Sequence, residues 1–540
     1  MKLTPGQIVA KQEELKSARG IWETHWQELA DYMVPRKNSF TRKNVPGEKK
    51  GVELYDNTSM VSLEALVAAL HGLLTNPNTL WFMLQTGDPT LDDEDDIAEY
   101  LQDLSRRMHR VLNNSNFQPE VYEYYVDLAS VGTATMVVEE DKDSIVTFST
   151  KHLGEIYPEE NSKGIIDVAY RVFTWTPKQI VQKFAEGIEP TEEALAVAVG
   201  KEVAKCYIDG KNEKFEIVHA IYRDNDTKIV KMPFISQYVL KKDKHELQEG
   251  RFRRFPYLIS RWSKTSGEIY GRSPGMTALP EQKTLNVMAK TMLKGAQKVV
   301  DPPVQIPDDG FVRPLRTFPG GVNYYRAGSS DRIETIFNDS RIDFGFEAIR
   351  ERQQRVREAF FVDKLNLAQN DRMTTVEVNQ RIQEQLRFLG PLLGRQHTEF
   401  LRPLIDRLLD IMIDADKNGD LIGQPPQELE DIELDVAYSS PIARAQRVGE
   451  AESLQQVLGA IAPVIQLDPP ALDNIDSDAW VRENFKIFGA TQKVLRNKDD
   501  VETVRESRQQ AQAEALKQQK ESQEAENLKN VSPALPTQGE

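Results

Sequence analysis

A helix, an insert and a second helix between residues 281 and 362 constrain the fold most strongly. Apolar periodicity predicts a helix over residues 281–300. Asp301-Pro302-Pro303 must end it, because proline lacks the amide hydrogen that a helix needs and clashes with the preceding turn. A Pro/Gly-rich insert with short strand patterns follows to about residue 342, and a second helix returns over residues 344–361. Two helices around a small β-like insert predict a hairpin-shaped stalk with a tip.

The first of these helices has two chemically different sides when its residues are placed at about 100° intervals. The apolar side carries Leu285, Met288, Ala289, Met292, Ala296 and Val299. The opposite side carries Lys283, Lys290, Lys294 and Lys298. In a monomer this pattern is typical of a solvated lysine face on an amphipathic helix. In a ring of such helices the same lysines would line a bore, and both interpretations remain open.

The rest of the chain predicts a mainly helical α+β protein. One helix is expected over the first 35 residues or so, ended by Pro35, and others over residues 59–74 and 92–112. From Gly132 to Arg261 short β-rich segments alternate with turns, and one helix capped by Thr176 and Pro177 interrupts them.

The C-terminal part predicts further helices. A long one is expected from Thr374 towards residue 412, kinked at Gly390-Pro391, and shorter ones over residues 441–465 and 478–488. Residues 490–531 contain no glycine or proline and have only a sparse apolar stripe. Such a helix buries little by itself, so it is expected either to fray or to pack against neighbours in an assembly.

Composition and charge exclude several classes of protein. A single cysteine, Cys206, rules out a disulfide framework and a thiolate zinc cluster. No apolar run approaches the ~20 residues of a membrane helix, and the N-terminal sequence lacks a signal-peptide pattern, so we expect no membrane contact and synthesis into the cytosol. A net charge of -16 argues against a general nucleic-acid binder. It is compatible with an acidic wall along which DNA slides.

No motif in the sequence predicts catalysis, a cofactor or a metal: histidine pairs at metal-ligand spacing, a phosphate-binding loop and a nucleophile elbow are all missing. The segment from Asp414 to Leu421 does resemble the first half of a calcium-binding EF-hand loop. Its twelfth position is Pro425 where a bidentate glutamate is needed, so a helix end running into a turn is the favoured interpretation. A metal-dependent hydrolase using this turn is the alternative.

Two basic clusters allow more than one interpretation. Arg251, Arg253 and Arg254 stand beside aromatic residues, which fits either nucleic-acid contact or a solvated loop. The second cluster interleaves arginines with glutamates, which predicts ion pairs between helices ahead of DNA contact. It comprises Arg350, Arg352, Arg355 and Arg357 with Glu347, Glu351 and Glu358.

Several segments, taken together and in their order along the chain, carry a resemblance to a known protein family. They are residues 22–35, Tyr55-Asp56-Asn57-Thr58, residues 77–84 with Trp81-Phe82, Tyr270-Gly271-Arg272-Ser273-Pro274, Arg372-Met373-Thr374-Thr375-Val376-Glu377-Val378, residues 438–447, residues 473–478 and Val494-Leu495-Arg496. Through them the chain resembles the head-to-tail connector, or portal, proteins of short-tailed bacteriophages over most of its length.

This resemblance implies a non-enzymatic ring of twelve identical subunits at one capsid vertex, assembled in the host cytoplasm and carried in the virion. It implies the portal fold: a wing (residues 1–280), stem helices (281–300 and 343–362), a clip (301–342), a tunnel loop with a long kinked helix (363–402), a crown (403–489) and a C-terminal barrel helix (490–540). The implied partners are other copies of the chain, the large subunit of the packaging terminase, tail adaptors, capsid and scaffolding proteins, and double-stranded DNA in passage.

Within that frame, two sets of residues are candidates for function. Sequence-independent, phosphate-directed DNA contact is expected from Lys290, Lys294 and Lys298, with Lys364 and Arg372 in the loop. Docking of the motor or adaptor is expected at Arg313, Arg316, Tyr324 and Tyr325 in the clip. A tail or scaffold protein that forms no channel is the remaining alternative.

Overall fold

The computed structural model describes residues 2–43, 45–92, 94–224, 232–300, 304–305, 334–335, 342–365, 390, 392, 394–416, 419–429, 434–438, 456–457, 459–461, 463, 475–488, 494–496 and 498–531. The chain divides into two compact units. The first comprises Met1–Thr79 and Met108–Leu421, and the second Leu80–Arg107 and Ile422–Glu540. The mainly helical α+β class predicted from the sequence is confirmed. None of the described helices is both long and apolar enough to cross a bilayer.

The N-terminal segment forms two helices, α1 (Pro5–Ala18) and α2 (Gly20–Met33), so the prediction of one continuous helix is wrong. Arg19 between them is 2% exposed. Its guanidinium donates to the carbonyl oxygens of residues 153, 154 and 156 at 3.2, 2.7 and 2.6 Å. The interruption lets α1 pack Ile8 onto a β-sheet while α2 packs Trp26 among helices.

Seven further helices precede the stalk in the described part of the chain. They are α3 (Thr58–Leu74), α4 (Pro89–Asp92), α5 (Asp95–Asn114), α6 (Phe117–Val131), α7 (Pro177–Phe184), α8 (Glu192–Val199) and α9 (Lys201–Ile208). The predicted cap of α7 is confirmed, since Thr176 and Gln179 form a capping box and Pro177 opens the helix. The prediction of a single helix among the strands is wrong: α8 and α9 also form, because Leu195 and Val203 bury against the sheet.

Strands fill the region from Gly132 to Arg261, as predicted, and they form two antiparallel sheets. The first has the order β3-β2-β9, with β2 (Thr133–Asp141), β3 (Ile145–Lys151) and β9 (Tyr257–Arg261). The second is a five-stranded meander in the order β4-β5-β6-β7-β8. Its strands are β4 (Ile156–Glu160), β5 (Ile166–Trp175), β6 (Phe215–Arg223), β7 (Phe234–Leu240) and β8 (His245–Phe252).

The predicted helical hairpin is present as α10 (Pro274–Val300) and α11 (Ile342–Ala359). α10 starts earlier than the predicted residue 281, and Pro280 lies inside it without ending it. In the insert, the two-residue strands β10 (Val304–Gln305) and β11 (Glu334–Thr335) pair antiparallel. The short helix α12 (Val362–Leu365) follows α11.

After the stalk, a π-helical turn at His397–Leu401 leads into α13 (Arg402–Ala415). In the second unit β1 (Phe82–Gln85) pairs antiparallel with β12 (Asp435–Tyr438). The same unit contains α14 (Ser477–Phe488) and α15 (Lys498–Val531), which confirm two of the predicted helices. Most of the helices predicted over residues 374–401 and 441–465, including the kink at Pro391, lies outside the described residues.

Candidate functional site

The start of α10 is fixed by a close approach of two glycines. Gly132 has a φ of 86°, and a β-carbon there would overlap the carbonyl oxygen of Gly271. The Gly271 amide donates to Thr133 Oγ1 at 2.8 Å. Ser273 Oγ donates to the carbonyl of Ser130 at 2.6 Å and accepts from the Met276 amide at 3.1 Å, so it also caps the helix. The familiar segment from Tyr270 to Pro274 therefore attaches the stalk to α6 and β2.

Aromatic packing completes this attachment. The Tyr270 ring lies 5.6 Å from that of Trp22 and 4.8 Å from that of Trp26. Burial raises the pKa of Tyr270 to about 12, so the hydroxyl stays neutral at physiological pH. Arg272 lies 4.6 Å above the Trp22 ring. The tryptophans of the N-terminal segment thus serve to hold the stalk in position.

A second attachment comes from the loop before α3. Asn286 Oδ1 of α10 accepts from the Tyr55 amide at 2.7 Å, and Asn286 Nδ2 donates to the carbonyl of Glu53 at 3.0 Å. Gln353 Nε2 of α11 donates to Asp56 Oδ2 at 2.8 Å. One loop therefore holds both helices of the hairpin, which gives the Tyr55-Asp56-Asn57-Thr58 segment a structural role.

The two stalk helices are also paired with each other. Arg352 Nη1 lies 2.6 Å from Glu281 Oε2, and Arg355 Nη1 lies 3.6 Å from Glu281 Oε1. The predicted ion pairs between helices are confirmed for these two arginines. Further along, Met292 of α10 packs against Gly345 of α11, where a β-carbon would require the methionine side chain to move.

The lysine side of α10 changes in character along the helix. Lys283 pairs with Glu28 of α2 at 2.7 Å. Lys290 Nζ lies 5.2 Å from the centre of the Tyr55 ring, a cation–π contact. Lys294 and Lys298 are exposed near the end of the helix. The predicted two-sided helix is confirmed by burial, since Leu285 on the apolar side is fully buried and Val287 among the lysines is 62% exposed.

The other site residues predicted from the sequence lie partly inside and mostly outside the described part of the chain. Lys364 is exposed on α12. Five residues lie outside the described part of the chain: Arg313, Arg316, Tyr324, Tyr325 and Arg372. The structure thus places three of the predicted DNA-contacting lysines in one row along α10.

Comparisons with known proteins decide the family. The sequence matches the family described as bacteriophage head to tail connecting protein over residues 6–495. The chain belongs to this family. It is 30% identical over 517 residues to the portal protein of Salmonella phage epsilon15, covering 93% of this chain and 90% of that protein. It is 29% identical over 526 residues to a probable portal protein of Bordetella phage BPP-1, with 94% and 92% covered.

In this connector-family chain, the basic cluster before β9 is committed to ion pairs. Arg251 pairs with Asp224 at 3.0 Å. The next two arginines bind α13: Arg253 pairs with Asp414 at 2.7 Å, and Arg254 with Asp406 and Asp410 at 2.9 and 3.2 Å. Burial raises the pKa of Asp410, which the neighbouring arginines partly oppose. The predicted loop leading into a strand is present, and its arginines form ion pairs while staying partly exposed.

The EF-hand-like turn is built as the end of a helix. Both carboxylate oxygens of Asp416 accept backbone amides, from Asp420 at 3.0 Å and Leu421 at 3.1 Å. Asp414 accepts from Arg253. Among the described residues no group of three or more histidine, cysteine, aspartate or glutamate side chains is placed to hold a metal ion. The two carboxylates are thus already engaged in structural interactions.

Sequence reasoning missed a buried polar network around the π-helical turn. Arg261, 2% exposed, pairs with Glu399 of that turn at 2.7 Å and with Glu160 of β4. Ser260 Oγ donates to Gln396 Oε1 at 2.8 Å. The partners are separated by more than a hundred residues in sequence, so local periodicity carries no signal for them.

Proposed function

We propose that this chain is a phage portal protein, and that its copies form a ring through which double-stranded DNA enters and leaves the head and to which the tail is joined. One observation carries the proposal: portal proteins of two phages align with nine-tenths or more of this chain and of their own lengths. We place the protein at a capsid vertex of the virion and treat it as a structural component without catalytic activity.

We assign the portal regions to the elements as follows. The wing takes the N-terminal helices and both sheets, the stem takes α10 and α11, the crown begins near α13, and α15 belongs to the barrel. Because residue 280 lies inside α10, we start the stem at Pro274. The clip (residues 301–342) and the tunnel loop (from residue 363) remain proposals based on family resemblance.

We further propose that DNA meets cations along the second half of α10 and at the tunnel loop. Lys290, Lys294 and Lys298 are the proposed contacts, joined by Lys364 and Arg372. Since subunit charges add in a ring and each chain carries -16, the mean field repels phosphate. A few cationic rows in an acidic wall give weak, sequence-independent contact that permits translocation.

The large terminase subunit and, later, the tail adaptors are the proposed partners of the clip, through Arg313, Arg316, Tyr324 and Tyr325. Capsid and scaffolding proteins are the proposed partners of the outer surface. Twelve is the proposed number of subunits.

Negative-stain imaging of the purified protein tests the ring directly. End-on particles with a central hole are the expected result, and compact monomers at every concentration and salt condition would overturn the proposal. Titration with calcium and magnesium is expected to show no saturable binding; stoichiometric binding lost in Asp414→Asn would instead favour the hydrolase alternative.

Lys294→Glu with Lys298→Glu tests the proposed DNA contact. Rings are expected to form normally, while DNA retention in heads built with the variant falls. Lys163→Glu with Lys178→Glu is the matched control, because these two lysines are exposed and lie outside the stalk. Unchanged packaging and retention in the α10 variant would remove these lysines from the channel.

A further inference from the structure

Two oppositely charged surface segments are left unexplained by the folding of a single chain. The basic loop comprises residues 36–51, and the acidic segment comprises residues 88–99. We propose that the basic loop of one copy docks on the acidic segment of the next copy around the ring. This inference rests on the proposed portal function and specifies how neighbouring copies recognise each other.

Four of the six cations of the basic loop contact groups of their own chain, and the other two are exposed. The loop contains six lysine and arginine residues and one acidic residue in a chain of net charge -16. Lys37 pairs with Asp127 of α6 at 2.6 Å, which fixes the start of the loop. Lys43 and Lys49 are exposed and form no ion pair with any described residue. The loop therefore holds two available cations in a defined place.

Apolar surface accompanies these cations. Val45 and Val52 are 55% and 73% exposed, so two apolar side chains near these lysines are accessible to a partner. Beside the loop lies a groove of about 530 Å³, whose lining combines Lys50 and Gly51 with Glu48, Glu64 and the already buried Leu63 and Met33. A docked partner would thus bury apolar side chains as well as neutralise charge, as stable interfaces do.

The acidic segment has the complementary character. It contains seven aspartate and glutamate residues and no lysine or arginine, and five of the acidic residues are consecutive. Some are engaged within the chain: Asp92 accepts from Thr86, and Asp95 pairs with Arg482. Glu94, Asp96 and Glu99 are exposed at the start of α5. Their carboxylates remain directed to solvent and available to a partner.

A ring explains why one chain carries both segments. Head-to-tail contacts around a closed ring are heterologous, so every copy must present two different surfaces that fit each other. The choice of a ring over a twofold dimer, which could pair the same two segments reciprocally, rests on the proposed portal function. The basic loop lies in the first compact unit and the acidic segment in the second.

Two charge-reversed variants test the contact. The loop variant is Lys43→Glu with Lys49→Glu, and the segment variant is Asp96→Lys with Glu99→Lys. Each alone places like charges opposite each other, so the ring fraction at fixed protein concentration should fall more than about tenfold. Sedimentation velocity and native mass spectrometry measure the ring fraction. Lys163→Glu with Lys178→Glu is again the matched control, and its rings should remain.

Mixing the two defective variants is the decisive experiment. In a ring where the two variants alternate, half of the interfaces join a charge-reversed loop to a charge-reversed segment. The other half join an unmodified loop to an unmodified segment. Recovery of rings containing both variants in equal amounts is expected. Such recovery also demonstrates that both variants are folded.

Three outcomes would decide against this docking. Wild-type ring fractions in either variant would overturn it and leave the portal proposal standing. Failure to recover on mixing, with thermal unfolding of both variants unchanged, would overturn it in the same way and point to another partner for the loop. An absence of rings in the unmodified protein would overturn the portal proposal itself.

Discussion

The helices α10 and α15 are both long, 27 and 34 residues, yet they are placed by different interactions. α10 is held by the rest of its own chain at its first half, where Gln282 and Leu285 are fully buried. α15 exposes nearly all of its described side chains, including Leu516 at 56%. A long helix whose described side chains are mostly exposed is stabilised little by packing on its own chain, so other copies are expected to cover it.

The same contrast occurs within α10 itself. Its first half contacts α2, α3 and α6, whereas Leu293 and Val300 towards its end are 52% and 86% exposed. Anchoring one half leaves the other half projecting from the domain. In the proposed ring, the anchored half fixes the direction of the stem and the projecting half meets DNA and neighbouring stems.

The largest expected effect comes from breaking the attachment of α10 at Gly132. In Gly132→Ala the added carbon overlaps the Gly271 carbonyl, and the φ of 86° is strained for alanine. We expect a loss of about 3–5 kcal/mol in the free energy of unfolding. Urea unfolding followed by tryptophan fluorescence measures it.

Gly295→Ala in the projecting half of α10 is the control. A β-carbon there has open space around it, so we expect a gain of about 0.5–1 kcal/mol from helix propensity. Equal stability of the two alanine variants would show that the glycine contact does not hold the stalk.

A smaller effect is expected at the loop that holds both stalk helices. Asn286→Ala leaves the Tyr55 amide and the Glu53 carbonyl without their partner in a partly buried place, which we expect to cost about 1–2 kcal/mol. Gln297→Ala, at an exposed position of the same helix, should stay within about 0.5 kcal/mol of the unmodified protein. The same unfolding measurement separates them, and a neutral Asn286 variant would mean that water replaces the lost hydrogen bonds.

These attachments also mark the limit of what the sequence could predict. The hairpin was predictable because its signals are local: helical periodicity on both sides of Asp301-Pro302-Pro303. The break at Arg19 and the meeting of Gly132 with Gly271 were not, since their partners lie more than a hundred residues away. Pattern along the chain predicts which face of a helix is apolar, but not what covers it.

The candidate site shows the same division. The lysine side of α10 was predictable from spacing alone. The pairing of Lys283 with Glu28 and the position of Lys290 over Tyr55 depend on tertiary contacts. These contacts distinguish the two lysines from Lys294, which is more exposed. The proposed clip residues and Arg372 stay predictions, because they lie outside the described residues.

The ion pairs between α10 and α11 should contribute little to stability. In Glu281→Gln the pairs with Arg352 and Arg355 are lost, but all three side chains are partly exposed, so we expect about 0.5–1 kcal/mol at low salt. The difference should vanish near 1 M salt because screening removes the Coulomb term. Glu347→Gln on the exposed side of α11 is the control, and a loss that persists at high salt would indicate a packing role for Glu281.

The smallest effect is expected from removing α15 altogether. Ending the chain at residue 497 deletes an ion pair between Arg505 and Asp478, whose side chains are 54% and 48% exposed, and such an exposed pair contributes little to stability. Helical circular dichroism of the monomer should therefore fall in proportion to the deleted residues while its thermal midpoint stays the same. The matched family region ends at residue 495, so the deletion also leaves that region whole. A midpoint lowered by several degrees would show that α15 packs against its own chain, and the contrast with α10 would then be wrong.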